Sequence, residues 1–127
     1  MPTVKVELSK GHEKSTLVKI RDLVMDSVVE SLHLLADDRN IRVIEHEPHL
    51  FQMKAPYCIL IEISMFVGRT KETKKTLYQS IANNLETCGL FKKEQVLVII
   101  YELPLENWGI RGGIPADEID LGFKVNV

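Results

Sequence analysis

The feature of this chain that most restricts its fold is an order of elements used twice. Residues 2–8 alternate in part, with Val4, Val6 and Leu8 set against Lys5 and Glu7, which predicts a strand with one wet face. "KGHEKS" breaks the pattern. From about residue 13 to 35 apolar residues fall at 17, 20, 24, 28, 32 and 35, the spacing of an amphipathic helix laid on a sheet. "ADDRN" ends that helix and "IRVIEH" reads as a second strand. After "EPHLFQMKAP", a loop or small hairpin, the order returns. "YCILIEISMFV" is apolar enough for a buried strand and "GRT" turns the chain. A helix follows from about residue 71 to 87, with Leu77, Ile81 and Leu85 on one face and Gly89 in the usual capping place. "QVLVIIYEL" is the fourth strand.

Two strand–helix–strand units of similar length, about 2–48 and 57–104, predict one α/β domain built by duplication over residues 1–127. Each helix then crosses right-handed between two parallel strands. Both helices lie on one face of a four-stranded sheet, and the other face is left to be covered, which points to oligomerisation. The remaining segment, about 105–127, holds the single tryptophan and has glycines at 109, 112 and 113. It reads as a structured loop or short hairpin, and by itself as a docking arm.

Composition narrows the classes of partner. A formal charge of −2 with scattered basic residues argues against nucleic acid or an anionic membrane surface. Lys71, Lys74 and Lys75 read as a solvated helix face. No apolar run approaches the ~20 residues of a membrane span, and the start lacks a signal-peptide pattern, so a cytoplasmic protein is expected. Cys58 and Cys88 read as buried or partly buried thiols and not a disulfide. His46 and His49 in "EHEPH" lack further ligands for a metal site. His12 and His33 read as exposed or partly buried helix residues. "GIRGG" lacks the strand-and-helix context of a nucleotide loop.

One residue asks for a chemical reading. Pro2 follows the residue that cells often remove, and with Met1 gone it carries a free secondary amine. Three separated pieces give that amine a context: "PTVKVEL" after Met1, "GRTKETKKTLYQSI" after the third strand, and "NWGIRGG" after the fourth. Together they resemble the tautomerase superfamily, with its amino-terminal proline, βαβ unit and GR(S/T)xExxK turn. The long form with two units resembles the malonate semialdehyde decarboxylase branch and 4-oxalocrotonate tautomerase-like proteins.

The resemblance implies a cofactor-free enzyme, a homotrimer, acting on a small-molecule carboxylate substrate. It assigns Pro2 as the catalytic proline, Arg69 as the arginine that holds the substrate carboxylate, and Trp108 as the aromatic wall of the pocket. Asp38, in "DDRNIRVIEHEP", matches an aspartate of the decarboxylase branch that activates water or tunes the proline. Arg42 matches a substrate-binding arginine of the short tautomerases. The decarboxylase pattern has a second arginine where this chain has Val67, which places tautomerase ahead of decarboxylase.

The chemistry follows from these groups. Moving a proton next to a carbonyl needs a base near the working pH that also returns the proton. A prolyl amine is too basic unless burial and nearby cations disfavour its charged form, and a fall of about two units corresponds to ~2.7 kcal/mol. Trp108, Ile110 and strand residues are placed to desolvate it, with Arg69 as the cation. With Asp38 close by, the opposite tuning holds: Pro2 becomes an acid, and Asp38 serves a hydratase or decarboxylase of a three-carbon acid. A non-enzymatic interaction protein on the same scaffold is the third reading.

Overall fold

The computed structural model describes residues 1–122 and residue 127. Strand β1 (Thr3–Ser9), helix α1 (Lys14–Ser31) and strand β2 (Ile41–His46) form the first unit. Strand β3 (Ile59–Phe66), helix α2 (Lys71–Thr87) and strand β4 (Val96–Leu103) form the second. The sheet order is β2-β1-β3-β4. Within each unit the strands are parallel, and the units meet through the antiparallel pair β1 and β3 at the centre of the sheet. This is the duplicated architecture read from the sequence.

Alternation decides which side is dry. Val4, Val6 and Leu8 of β1 and Ile59, Ile61, Ile63 and Met65 of β3 are buried against the helices. Ile20, Val24 and Val28 of α1 and Leu77, Ile81 and Leu85 of α2 meet them from above. Each such side chain contributes about 1.5–3 kcal/mol by leaving water. The helices also touch each other: Asn84 Nδ2 donates to Ser27 Oγ at 2.8 Å, and Ser27 donates to the Leu23 carbonyl at 2.9 Å. Both therefore lie on one face.

The duplication keeps a shift of 57 residues. Lys14 and Lys71 open the two helices. Their buried positions Ile20 and Leu77, Val24 and Ile81, and Val28 and Leu85 are all 57 apart. So are the short 3₁₀ turns Pro48–Leu50 and Leu105–Asn107 that follow β2 and β4. Lys5 and Glu62, also 57 apart, face each other across β1 and β3 as an ion pair at 3.7 Å. They mark the internal twofold axis.

Several elements differ from the sequence reading. Helix α1 ends at Ser31, not near residue 35. His33 takes a left-handed φ of 55°, while its N–H bonds to the Glu30 carbonyl and that of Leu34 to Val29. Gly89 closes α2 the same way at φ 71°, with Leu90 N–H on the Leu85 carbonyl. Periodicity alone missed the first stop because a histidine stands where glycine is usual. His33 is thus a cap residue, and His12 lies in the loop before α1. Cys58 is exposed, not buried, because β3 begins one residue later; Cys88 is half-buried. Of the two alternatives for the segment after β2, the structure has the loop, with a 3₁₀ turn at Pro48–Leu50. The final segment does form one, from β5 (Gly109–Ile110) and β6 (Ile114–Pro115), with 123–126 of that expected loop outside the described residues.

The two caps predict substitutions of opposite sign. Gly89→Ala forces a Cβ into the left-handed region and lowers stability by about 1 kcal/mol. His33→Gly relieves the same conformation and raises it by roughly 0.5 kcal/mol. Urea midpoints at unchanged m-value check both signs.

Candidate active site

The turn "GRT" places its residues by backbone need. Gly68 has a φ of 125°, which swings the chain off β3, and Thr70 caps α2 by accepting the Thr73 N–H at 3.1 Å. Arg69 between them is carried inward and is only 5% exposed. Its Nη1 donates to the Phe66 carbonyl at 3.3 Å. Nε and Nη2 have no partner among the described residues. Burial holds its pKa below the usual guanidinium value, opposed by the charges of Glu102 and Asp38. Glu102 is itself paired with Lys74. A guanidinium so placed stays charged and, among the described residues, has no ion-pair partner.

The amino terminus lies in the same electrostatic neighbourhood. The Met1 amine is 3.3 Å from Asp38 Oδ2, and Pro2 behind it is buried. Burial is the largest influence on that amine and lowers its pKa; Asp38 opposes this by charge and hydrogen bond, and Arg69 adds to the lowering. Asn40 Nδ2 lies 3.4 Å from both Asp38 Oδ1 and the Pro2 carbonyl. A cavity of about 340 Å³ opens here between Met1, Leu35, Asp38, Asn40 and Arg111.

Trp108 packs edge-on to Phe66, with ring centroids 4.9 Å apart and planes at 74°. Its Nε1 is buried without a partner among the described residues. The structure thus links Asp38, Arg69 and the terminus by charge, and ties Trp108 to the turn that carries Arg69. Ile110 sits half-buried on β5, opposite Ile114. Arg42 is placed elsewhere. It is exposed, level with Lys5, on the sheet face away from the helices, whereas Pro2 shares the inward parity of Val4.

The family model described as a tautomerase enzyme matches residues 38–111, more than half of the chain. This chain belongs to the tautomerase family. A probable tautomerase of Bacillus subtilis (strain 168), YusQ, is 28% identical over 121 residues, covering 89% of this chain and 95% of its own. Among solved structures, native fused 4-OT superposes with a TM-score of 0.83 at 20% identity, covering 95% of this chain and 99% of that one. FG41 malonate semialdehyde decarboxylase inhibited by 3-bromopropiolate gives 0.80 at 24% identity, covering 89% and 92%. These two share the fold.

Two residues at the cavity of this tautomerase-family chain escaped the sequence reading. Asn40 reaches Asp38 and Pro2 only because β2 pairs with β1 in a register that no local pattern encodes. Arg111 carried a usable signal, an arginine directly before two glycines. It takes a left-handed φ of 49° in the β5–β6 turn, and its Nη1 donates to the Asp120 carbonyl at 3.0 Å.

An unpaired buried cation weakens the fold it serves. Arg69→Met keeps the bulk and removes the charge, so the urea midpoint rises by the equivalent of about 1 kcal/mol. A fall of that size would mean that the bond to Phe66 outweighs the burial of charge.

Proposed function

We propose that this protein is a cofactor-free keto–enol tautomerase of small 2-oxo acids, with Pro2 as the base that takes and returns the proton. The observation that carries the reading is the burial of the amino terminus, which disfavours its protonated form against the opposing pull of Asp38, with the under-partnered Arg69 guanidinium adding to the lowering. Once Met1 is removed, the Pro2 nitrogen becomes the terminal amine, next in the chain to the cavity that Met1 now lines. Arg69 takes the substrate carboxylate in a fork and draws charge toward the forming enol. Trp108 keeps water from one side of the pocket and offers its indole N–H to an oxygen of the bound substrate. Pro2 removes a proton from oxygen or carbon and delivers it to the other position. Ile110 and Arg42 are assigned to substrate binding by the family likeness alone.

Asp38 supports a second reading. Its carboxylate, 3.3 Å from the terminal nitrogen, favours the ammonium. Pro2 then acts as an acid, and Asp38 activates water for hydration or assists loss of carbon dioxide from a three-carbon acid. One fold neighbour is a malonate semialdehyde decarboxylase with decarboxylase and hydratase activities. Val67 leaves this chain without the paired arginine of that branch, and tautomerisation remains the preferred assignment.

Assembly belongs to the same proposal. The fused 4-OT neighbours include symmetric and asymmetric trimers. The open face of this sheet, with Ile99 and Tyr101 exposed on β4, is the surface that a homotrimer covers. Sedimentation at micromolar concentration reads three chains; a single-chain mass removes the trimer. Among the described residues no helix is long and apolar enough to cross a membrane, and a cytoplasmic site of action is part of the proposal.

Pro2→Ala leaves the fold intact and lowers kcat/KM for ketonisation of an enol-pyruvate derivative by about 10²–10⁴-fold, followed as loss of enol absorbance. Undiminished turnover eliminates the proline mechanism. Asp38→Asn separates the two readings: it retains most ketonisation in the first and abolishes hydration or decarboxylation in the second.

A further inference from the structure

The internal twofold axis carries the candidate site onto a second place in the same chain. Moving each of its residues by 57 positions takes Arg69 to His12, Phe66 to Ser9, Trp108 to Phe51, Ile110 to Met53 and Met1 to Cys58. Those five counterparts all line one cavity, of about 300 Å³, at the opposite end of the β1–β3 pair. Phe91 completes it from just beyond the α2 cap, as Leu35 borders the first cavity just beyond the α1 cap. Gly11 and Gly68, again 57 apart, turn the chain alike, at φ 131° and 125°. Gln95 stands where the first site has Asp38, and its Nε2 donates to Cys58 Sγ at 3.4 Å.

We infer that this end is a second ligand site, the internal counterpart of the first, and that it takes a small uncharged aromatic molecule. Aromatic and apolar residues are kept where the first site has Trp108 and Ile110, while its charges are gone. Where the first end has a guanidinium, an amine and a carboxylate, the second has an imidazole, a thiol and an amide. Carboxylate binding is therefore lost at this end, and the apolar part of recognition is retained.

The walls select flat rings. Phe51 is held by stacking on His46, with centroids 5.1 Å apart and planes at 8°, which fixes its orientation. Phe91 meets His12 at 5.9 Å and 53°. An aromatic guest entering between them finds face and edge partners, and Met53 adapts to its outline. Ser9 and Tyr57 bring hydroxyls to the same cavity for one polar substituent. A volume near the lower limit for ligand pockets restricts the guest to about a single ring. No covalent step is involved: the Cys58 thiol already donates to the Pro56 carbonyl at 3.4 Å.

Phenol and benzoate test the site, being alike in shape and different in charge. With methionine methyls labelled with ¹³C, Met53 reports this end, and the core residues Met25 and Met65 report the fold. Phenol at millimolar concentration gives a saturating shift at Met53, and benzoate binds there at least about tenfold more weakly, ~1.4 kcal/mol. Ser9→Phe introduces the residue that the other repeat carries at this position and fills the cavity. It abolishes the phenol shift, as does Cys58→Phe, a substitution at an exposed position that serves where Ser9→Phe disturbs the Met25 or Met65 signals. Pro2→Ala leaves phenol binding unchanged, so a failed tautomerase assignment and a failed second site read differently. No saturating shift at Met53, equal binding of benzoate, or phenol binding that survives a folded filling variant overturns the inference.

Discussion

The structure is organised around a buried positive charge, Arg69, whose Nε and Nη2 have no partner among the described residues. Arg69 is drawn in because Gly68 and the Thr70 cap fix the backbone on either side of it, and its one described hydrogen bond is to the Phe66 carbonyl. Burying a cation with so few partners among the described residues costs about 1 kcal/mol even after Glu102 and Asp38 offset part of it, a noticeable share of the stability of a domain this small. The core between the sheet and the two helices must sustain that cost. The return is a site that favours an anion arriving from outside, and that works against protonation of the amine beside it. Asp38 is the counterweight. Its carboxylate acts on both the amine and Arg69, so the balance among three groups sets whether the terminus is a base or an acid.

Duplication explains how the chain sustains such a site. The paired helix positions Ile20 and Leu77, Val24 and Ile81, and Val28 and Leu85 remain apolar and buried in both units. The divergence lies at the ends of the β1–β3 pair, where loops set chemistry without disturbing packing. There Arg69 answers to His12, and Met1 to Cys58. Cys58 is joined to Tyr57, so the second end has no terminal amine to offer. On the proposed reading, an internal repeat thus yields one end for proton transfer and another with the cavity alone.

Much of the fold was legible in the sequence because period and length agree with it. Alternation in β1, the threes and fours of α1 and α2, and the recurrence of the unit predicted four strands and two helices on one face. Chain reversal was harder. The end of α1 depends on His33 entering a conformation usually left to glycine, and the exposure of Cys58 depends on where β3 pairing starts. The sequence offered Pro2, Asp38, Arg69 and Trp108 as candidates, through "GRT" and family likeness, and the structure brings Asp38, Arg69 and the terminus into one electrostatic neighbourhood, while their roles stay with the proposal. Asn40 was hidden because it acts through strand register. Arg42, legible as a candidate, lies on the exposed sheet face, where alternation along β2 sends it.

The central claim is that the processed terminus is a neutral amine held so by burial and by Arg69. Titration of the prolyl nitrogen in ¹⁵N-proline-labelled protein, with intact mass confirming loss of Met1, tests it most directly. The account predicts a midpoint near or below neutrality that moves up when Arg69 is replaced by Met. A midpoint well above neutrality, or one indifferent to residue 69, contradicts it.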